Sequence, residues 1–160
     1  MALRVLAIAV ASSKAGYVYL QGSTLLHWGI SVKAAKNNTN IVEFAQKLIN
    51  EFKPDVVVTE KCGPTSKKGK KTRTLIRSAA ELASHNAVLD VSVERIQVFT
   101  SKYEEAVALA QQWSDLKRHL PKHKRRLFEY EPRAMVLFEA LSIAKSVLDR
   151  PSTELAAAMG

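Results

Sequence analysis

Arg4-Val5-Leu6-Ala7-Ile8-Ala9-Val10-Ala11 is an apolar run of small and β-branched residues, with one cation at its start and no acid anywhere in it. A continuous apolar segment of strand length reads as a β-strand covered on both faces, since a half-exposed strand would alternate. Residues 16–21 and 24–31 read as two further strands. Gly22-Ser23 between them suits a two-residue type II′ turn, which wants glycine at its first central position. Three antiparallel strands therefore open the chain.

Residues 40–52 place Ile41, Phe44, Ala45, Leu48, Ile49 and Phe52 at helical spacing, and Lys53-Pro54 closes that helix. Val56-Val57-Val58-Thr59-Glu60 is short and apolar enough for a central parallel strand, and it ends on a carboxylate. Residues 72–87 read as a helix, 90–96 as a fifth strand, and 101–113 as a helix opened by Ser101 with Glu104 three positions on. A last helix is expected from Pro132, with Ala134, Leu137, Phe138, Leu141, Ala144 and Leu148 as its core stripe, stopped by Pro151. The order βββ-α-β-α-β-α-α predicts an α/β fold: a mixed five-stranded sheet, three antiparallel strands then parallel ones, with helices on both faces. Residues 1–150 are expected to form one domain and 151–160 a frayed tail.

At 160 residues one core can hide roughly 68–70% of the unfolded surface. The charge is lopsided, with 24 Lys and Arg against 15 Asp and Glu and a net +9, which favours polyanionic partners. Cys62 is the only cysteine, so no intrachain disulfide forms and a reducing, cytoplasmic location is expected. No apolar run approaches the roughly 18 residues of a membrane span, and no membrane partner is expected. The N-terminal segment imitates a signal peptide, but its apolar stretch is too short for one.

This layout resembles that of the ribonuclease H-like superfamily, and within it residues 3–149 resemble the RuvC-like Holliday junction resolvases. Ala7-Ile8-Ala9-Val10-Ala11, leading to Gly16-Tyr17, resembles their opening strand. Pro54 to Glu60 resembles their Pro-Asp-hydrophobic-Glu strand, and Phe138-Glu139-Ala140-Leu141-Ser142-Ile143-Ala144 resembles the helix that brings their last acid. The resemblance implies carboxylates from the first strand, the fourth strand and the final helix around two divalent ions, Mg²⁺ or Mn²⁺. Here the first-strand position is Ala9, whose methyl group cannot ligate. Glu60 fits the second position and is the candidate metal ligand, with a solvated strand-end glutamate as the plain alternative. For the last acid, Glu139 matches by register but falls well off the apolar stripe of a helix begun at Pro132. Glu131 sits at the helix entrance, where it also suits a capping carboxylate. All three are remnant catalytic candidates.

Two basic runs contain no acid: Lys61, Lys67, Lys68, Lys70, Lys71, Arg73 and Arg77, then Lys117, Arg118, Lys122, Lys124, Arg125 and Arg126. Together they supply over half of the basic residues, enough clustering to favour phosphate backbone over a merely solvated face. The first lies just beyond Glu60, at the carboxyl edge where open α/β sheets meet ligands. Tyr103, Trp113, Phe128 and Tyr130 are candidate stacking rings, although Trp113 reads as core. Residues 63–72 evoke a phosphate-binding P-loop, but the glycines are one residue too far apart and Lys71 stands where Ser or Thr should be. Cys62 with His85, or a serine with His27, His119 or His123, forms no spacing that selects covalent catalysis.

Three readings follow. The first is a RuvC-like nucleic-acid-binding protein with lost or reduced nuclease activity, DNA being favoured over RNA and a homodimer left open. The second is an active metal-dependent endonuclease using Glu60 with Glu131 or Glu139. The third is a protein-interaction scaffold.

Overall fold

The computed structural model describes residues 2–64, 66–95, 101–121 and 134–149. Strands β1 (Arg4–Val10), β2 (Ala15–Gln21) and β3 (Thr24–Ser31) open the fold, followed by helix α1 (Asn38–Phe52), strand β4 (Val56–Glu60), helix α2 (Lys70–Ser84), strand β5 (Leu89–Val93), helix α3 (Lys102–Gln112) and helix α4 (Met135–Leu148). The sheet order is β3-β2-β1-β4-β5. β1 pairs antiparallel with β2, and β2 with β3, while β4 runs parallel to both β1 and β5. The mixed five-stranded sheet read from the sequence is present.

Each strand sends alternate residues to opposite faces. Val5, Ala7 and Ala9 of β1, with Val56 and Val58 of β4, pack against α3 and α4. Leu6, Ile8 and Val57 face α1 and the end of α2, and Val10 joins the group under α1 and the start of α2. Both faces are covered, which is why β1 is apolar throughout. Gly22 takes φ 60° while Ser23 stays outside the positive region, as a type II′ turn requires. The turn is held to the start of β1 by Gly22 N–H donating to Leu3 O at 2.8 Å.

Asn37 caps α1, its side chain accepting from Asn40 N–H at 2.8 Å, and Lys53 ends it in the left-handed region before Pro54. Ser101 caps α3 in the same way. Several boundaries differ from the expected ones. α2 begins at Lys70 after extended Gly69 and ends at Ser84, and β5 covers Leu89–Val93. Ile96, Glu131, Pro132, the basic residues Lys122, Lys124, Arg125 and Arg126, and the tail from 150 lie outside the described residues.

The expectation for α4 needs correction. It is buried almost all round, from Met135 through Leu141, instead of along one stripe, because the sheet lies on one side and α3 on another. Gly16 sets the depth of its seat on β2, since a Cβ there would stand 2.8 Å from Val136 Cγ1. The position taken as off the stripe, Glu139, is consequently buried.

Candidate functional site

The β1–β4 register joins Val5 to Val56, Leu6 to Val57 and Ala7 to Val58. Carried two residues further, it sets Ala9 level with Glu60, and both face α4 by strand alternation. From α4, Glu139 arrives at the same place, 3% exposed and one turn into the helix. The carboxyl edge of the two central strands and the start of α4 thus bring Ala9, Glu60 and Glu139 together. Glu131 falls outside the described residues.

What stands between the two acids is an ammonium. Lys68 Nζ donates to the Val10 carbonyl at 2.6 Å and lies 3.4 Å from Glu139 Oε1 and 3.7 Å from Glu60 Oε1, with a side chain only 15% exposed. Arg95, on the segment leaving β5, reaches Glu139 Oε1 with Nη1 at 3.2 Å and pairs through Nη2 with Glu105 of α3. Lys102, the first residue of α3, brings Nζ to 3.3 Å from the same Glu139 oxygen. Ser142 donates to Glu105 Oε2 at 3.3 Å and so ties α4 to α3. Among the described residues, three carboxylates and three cations therefore form one inner network. Within it, Glu139 Oε2 and Arg95 Nε are buried without a hydrogen-bond partner among the described residues.

Burial works to raise the pKa of Glu139, but Lys68, Lys102 and Arg95 together outweigh it and hold the carboxyl below its ordinary value. It is an anion at neutral pH. The thiol of Cys62 donates to Glu60 Oε2 at 3.5 Å; burial first, then the charge of Glu60, push its pKa up, so it is a poorer nucleophile than a free cysteine. His85 stands at the far end of α2, about 20 Å of helix from the cleft. The covalent-catalysis pairing is not assembled there.

The network forms the wall of a cleft of about 600 Å³, whose lining also includes Ala11, Ser12, Lys61, Lys67 and Glu94. Lys61 is rooted at the sheet edge, its N–H donating to Val93 O at 2.7 Å, and its side chain is exposed, as are those of Lys67, Lys70, Lys71 and Arg77. Two members of this basic segment are not free surface charges. Lys68 is committed to the inner network, and Arg73 bonds the carbonyls of Lys68 at 2.9 Å and Ser66 at 2.8 Å, bracing the loop that carries its neighbours.

The described part of the second basic segment lies elsewhere. Trp113 is core, its indole N–H donating to Ser23 O at 2.8 Å, and Arg118 stands 6.0 Å over the Trp28 ring of β3. Ser23 belongs to the turn at the end of the sheet where β1 begins, opposite the Glu60 end. Lys117 and Arg118 therefore do not join the cleft. His119 packs edge-on to Trp28, and burial with the neighbouring Arg118 lowers its pKa, so it adds no charge at neutral pH.

Arg95, Lys102 and Glu105 were missed by sequence reasoning. One signal was available: both cations lie in the sequence between the end of the fifth strand and the start of the next helix, at the same sheet edge as Glu60, and Lys102 opens that helix, where the macrodipole disfavours a cation.

The donor set does not suit a pair of divalent ions. Ala9 offers a methyl group, and among the described residues no group of three or more His, Cys, Asp or Glu is placed to hold a metal. A divalent ion about 4 Å from Lys68 Nζ would be repelled by about 8 kcal/mol, twice the roughly 4 kcal/mol of a unit pair at an effective dielectric near 20.

Solved structures share this architecture. Thermus thermophilus RuvC in complex with a Holliday junction substrate superposes with a TM-score of 0.61 at 17% identity, covering 89% of this chain and 90% of that one. The fold is that of the RuvC-type resolvases. The fowlpox virus resolvase in complex with Holliday junction DNA gives a TM-score of 0.60 at 12% identity, over 91% of this chain and 97% of the viral one. The yeast mitochondrial Holliday junction resolvase gives 0.54 at 13% identity, over 91% and 78%. No protein-family model matches the sequence, and no curated protein is significantly similar to it. At these identities the likeness establishes the RuvC-type fold, and the cleft described above is this chain's own.

Proposed function

We propose that this protein binds nucleic acid, DNA in preference to RNA and branched DNA in particular, through its phosphate backbone, and that hydrolysis by the fold's usual site has been lost. The observation that carries this reading is the ammonium of Lys68 lodged between Glu60 and Glu139, with Ala9 beside them in place of an acid. Binding needs cations at the rim, which Lys61 and Lys67 supply with Lys70 and Lys71 at the start of α2. Hydrolysis needs a bridging oxygen ligand at the first strand, and a methyl group stands there. Two of the structures sharing the fold were solved with Holliday junction DNA, which supports a branched ligand.

The test is incubation of labelled four-way junctions and linear duplexes with the full chain in Mg²⁺ and in Mn²⁺. The expected result is a shifted junction band with no cleavage product. Cleavage that disappears in Glu60→Gln would restore the endonuclease reading, and absence of any DNA binding at low salt would remove the nucleic-acid one.

A further inference from the structure

The inner network is built around an oxygen cage for a cation, and the cation in it is covalently part of the chain. The Val10 carbonyl, Glu60 Oε1 and Glu139 Oε1 converge on Lys68 Nζ at 2.6, 3.7 and 3.4 Å from three separate elements: the end of β1, the end of β4 and α4 one turn in from its start. Lys68 itself sits on the segment leading into α2, and its own carbonyl is held by Arg73. We propose that Lys68 is the protein's permanent substitute for a divalent ion: its ammonium occupies the cage, neutralises the facing acids and ties the lysine-bearing loop to the sheet edge, leaving the protein indifferent to divalent metals.

The charge count supports the substitution. Glu60 and Glu139 without Lys68 would leave two carboxylates and a carbonyl oxygen turned on one point, a hard-oxygen set of the kind Mg²⁺ and Mn²⁺ take. With Lys68 in place, Arg95 and Lys102 complete the compensation of Glu139, and Glu105 takes the second arm of Arg95. A side chain cannot be chelated or diluted away, so the loop carrying Lys61 and Lys67 keeps its place whatever the metal supply. This is a positioning role for Lys68, separate from contact with any ligand.

Titration of free Mn²⁺ by electron paramagnetic resonance tests it on the full chain. Wild type should take up no stoichiometric Mn²⁺, and Lys68→Arg should behave the same. Lys68→Ala, confirmed folded by circular dichroism, should gain one Mn²⁺ per chain, with a Kd of roughly 10⁻⁴ to 10⁻³ M as befits a site of few charged ligands. One-site uptake by wild type overturns the proposal, and so does a folded Lys68→Ala that takes up none. Should Lys68→Ala fail to fold, wild-type thermal melting in Mg²⁺ against EDTA decides, because an ion bound to the native state raises the midpoint. An unchanged midpoint supports the substitution and a raised one contradicts it. The inference concerns the same cleft as the proposed DNA binding but stands apart from it: a chain that binds no junction yet shows this Mn²⁺ pattern loses the functional reading alone.

Discussion

Glu139 holds a negative charge at 3% exposure, with three cations on one of its oxygens. Removing one partner from a buried network leaves the others uncompensated, at a typical cost of about 3–5 kcal/mol. Lys68 and Arg95 keep Glu60 and Glu105 as partners, and the side chain of Lys102 is half exposed and so keeps its access to water, so Glu139→Gln should sit near the lower end, about 3 kcal/mol. The pH dependence has a definite sign. The folded pKa lies below the ordinary value of 4.5, so the contribution is whole above that pH and is lost as pH falls through the lower folded value. Urea denaturation of wild type and Glu139→Gln should show a constant gap near neutral pH that closes in acid below 4.5; a gap that widened there would contradict the assignment. At this scale the positions of Glu60 and Ala9 were legible, because strand register and strand-end position fix where they fall. Arg95 and Glu105 were not, since an ion network formed by five separate segments leaves no periodic trace in the sequence.

Helix α4 is the element on which the site depends, because it delivers Glu139, one turn in from its start, to the sheet edge. Its seat rests on Gly16 of β2, where an added Cβ would meet Val136 Cγ1 at 2.8 Å and the Val136 backbone carbon at 3.4 Å. Gly16→Ala should therefore cost about 1–3 kcal/mol, the usual range for overpacking a tight core contact. Thermal melting measures that loss, and an unchanged midpoint would show that α4 is free to shift. The strands were the most readable elements, since β1 has the unbroken apolarity of a strand covered on both sides. α4 misled because its stripe of Leu137, Phe138, Leu141 and Ala144 suggested one buried face and an exposed Glu139. A helix enclosed by both sheet and neighbouring helix buries its polar positions too, and only the tertiary arrangement discloses that.

The net charge of +9 is distributed unevenly over the molecule as a whole. Among the described residues around the cleft the inner charges are paired with one another, and Lys61 and Lys67 at the rim remain for phosphates. Lys117 and Arg118 sit by β3 toward the other end of the sheet, so the two basic runs of the sequence are two places in the fold. If the cleft holds the DNA, changing Lys61 and Lys67 together to Ala should flatten the log-log salt slope of binding by about 2, roughly 1 per lost phosphate contact. Changing Lys117 and Arg118 should leave that slope near its wild-type value, and the reverse pattern would move the interface to β3. The most direct test of a phosphate-binding cleft that carries its own cation is the affinity of wild type for a four-way DNA junction, measured by fluorescence anisotropy across a KCl series in EDTA. Binding should persist without any divalent ion and weaken with salt at a slope of about −0.9 per phosphate neutralised; binding that vanishes in EDTA and returns with Mg²⁺ would contradict the account.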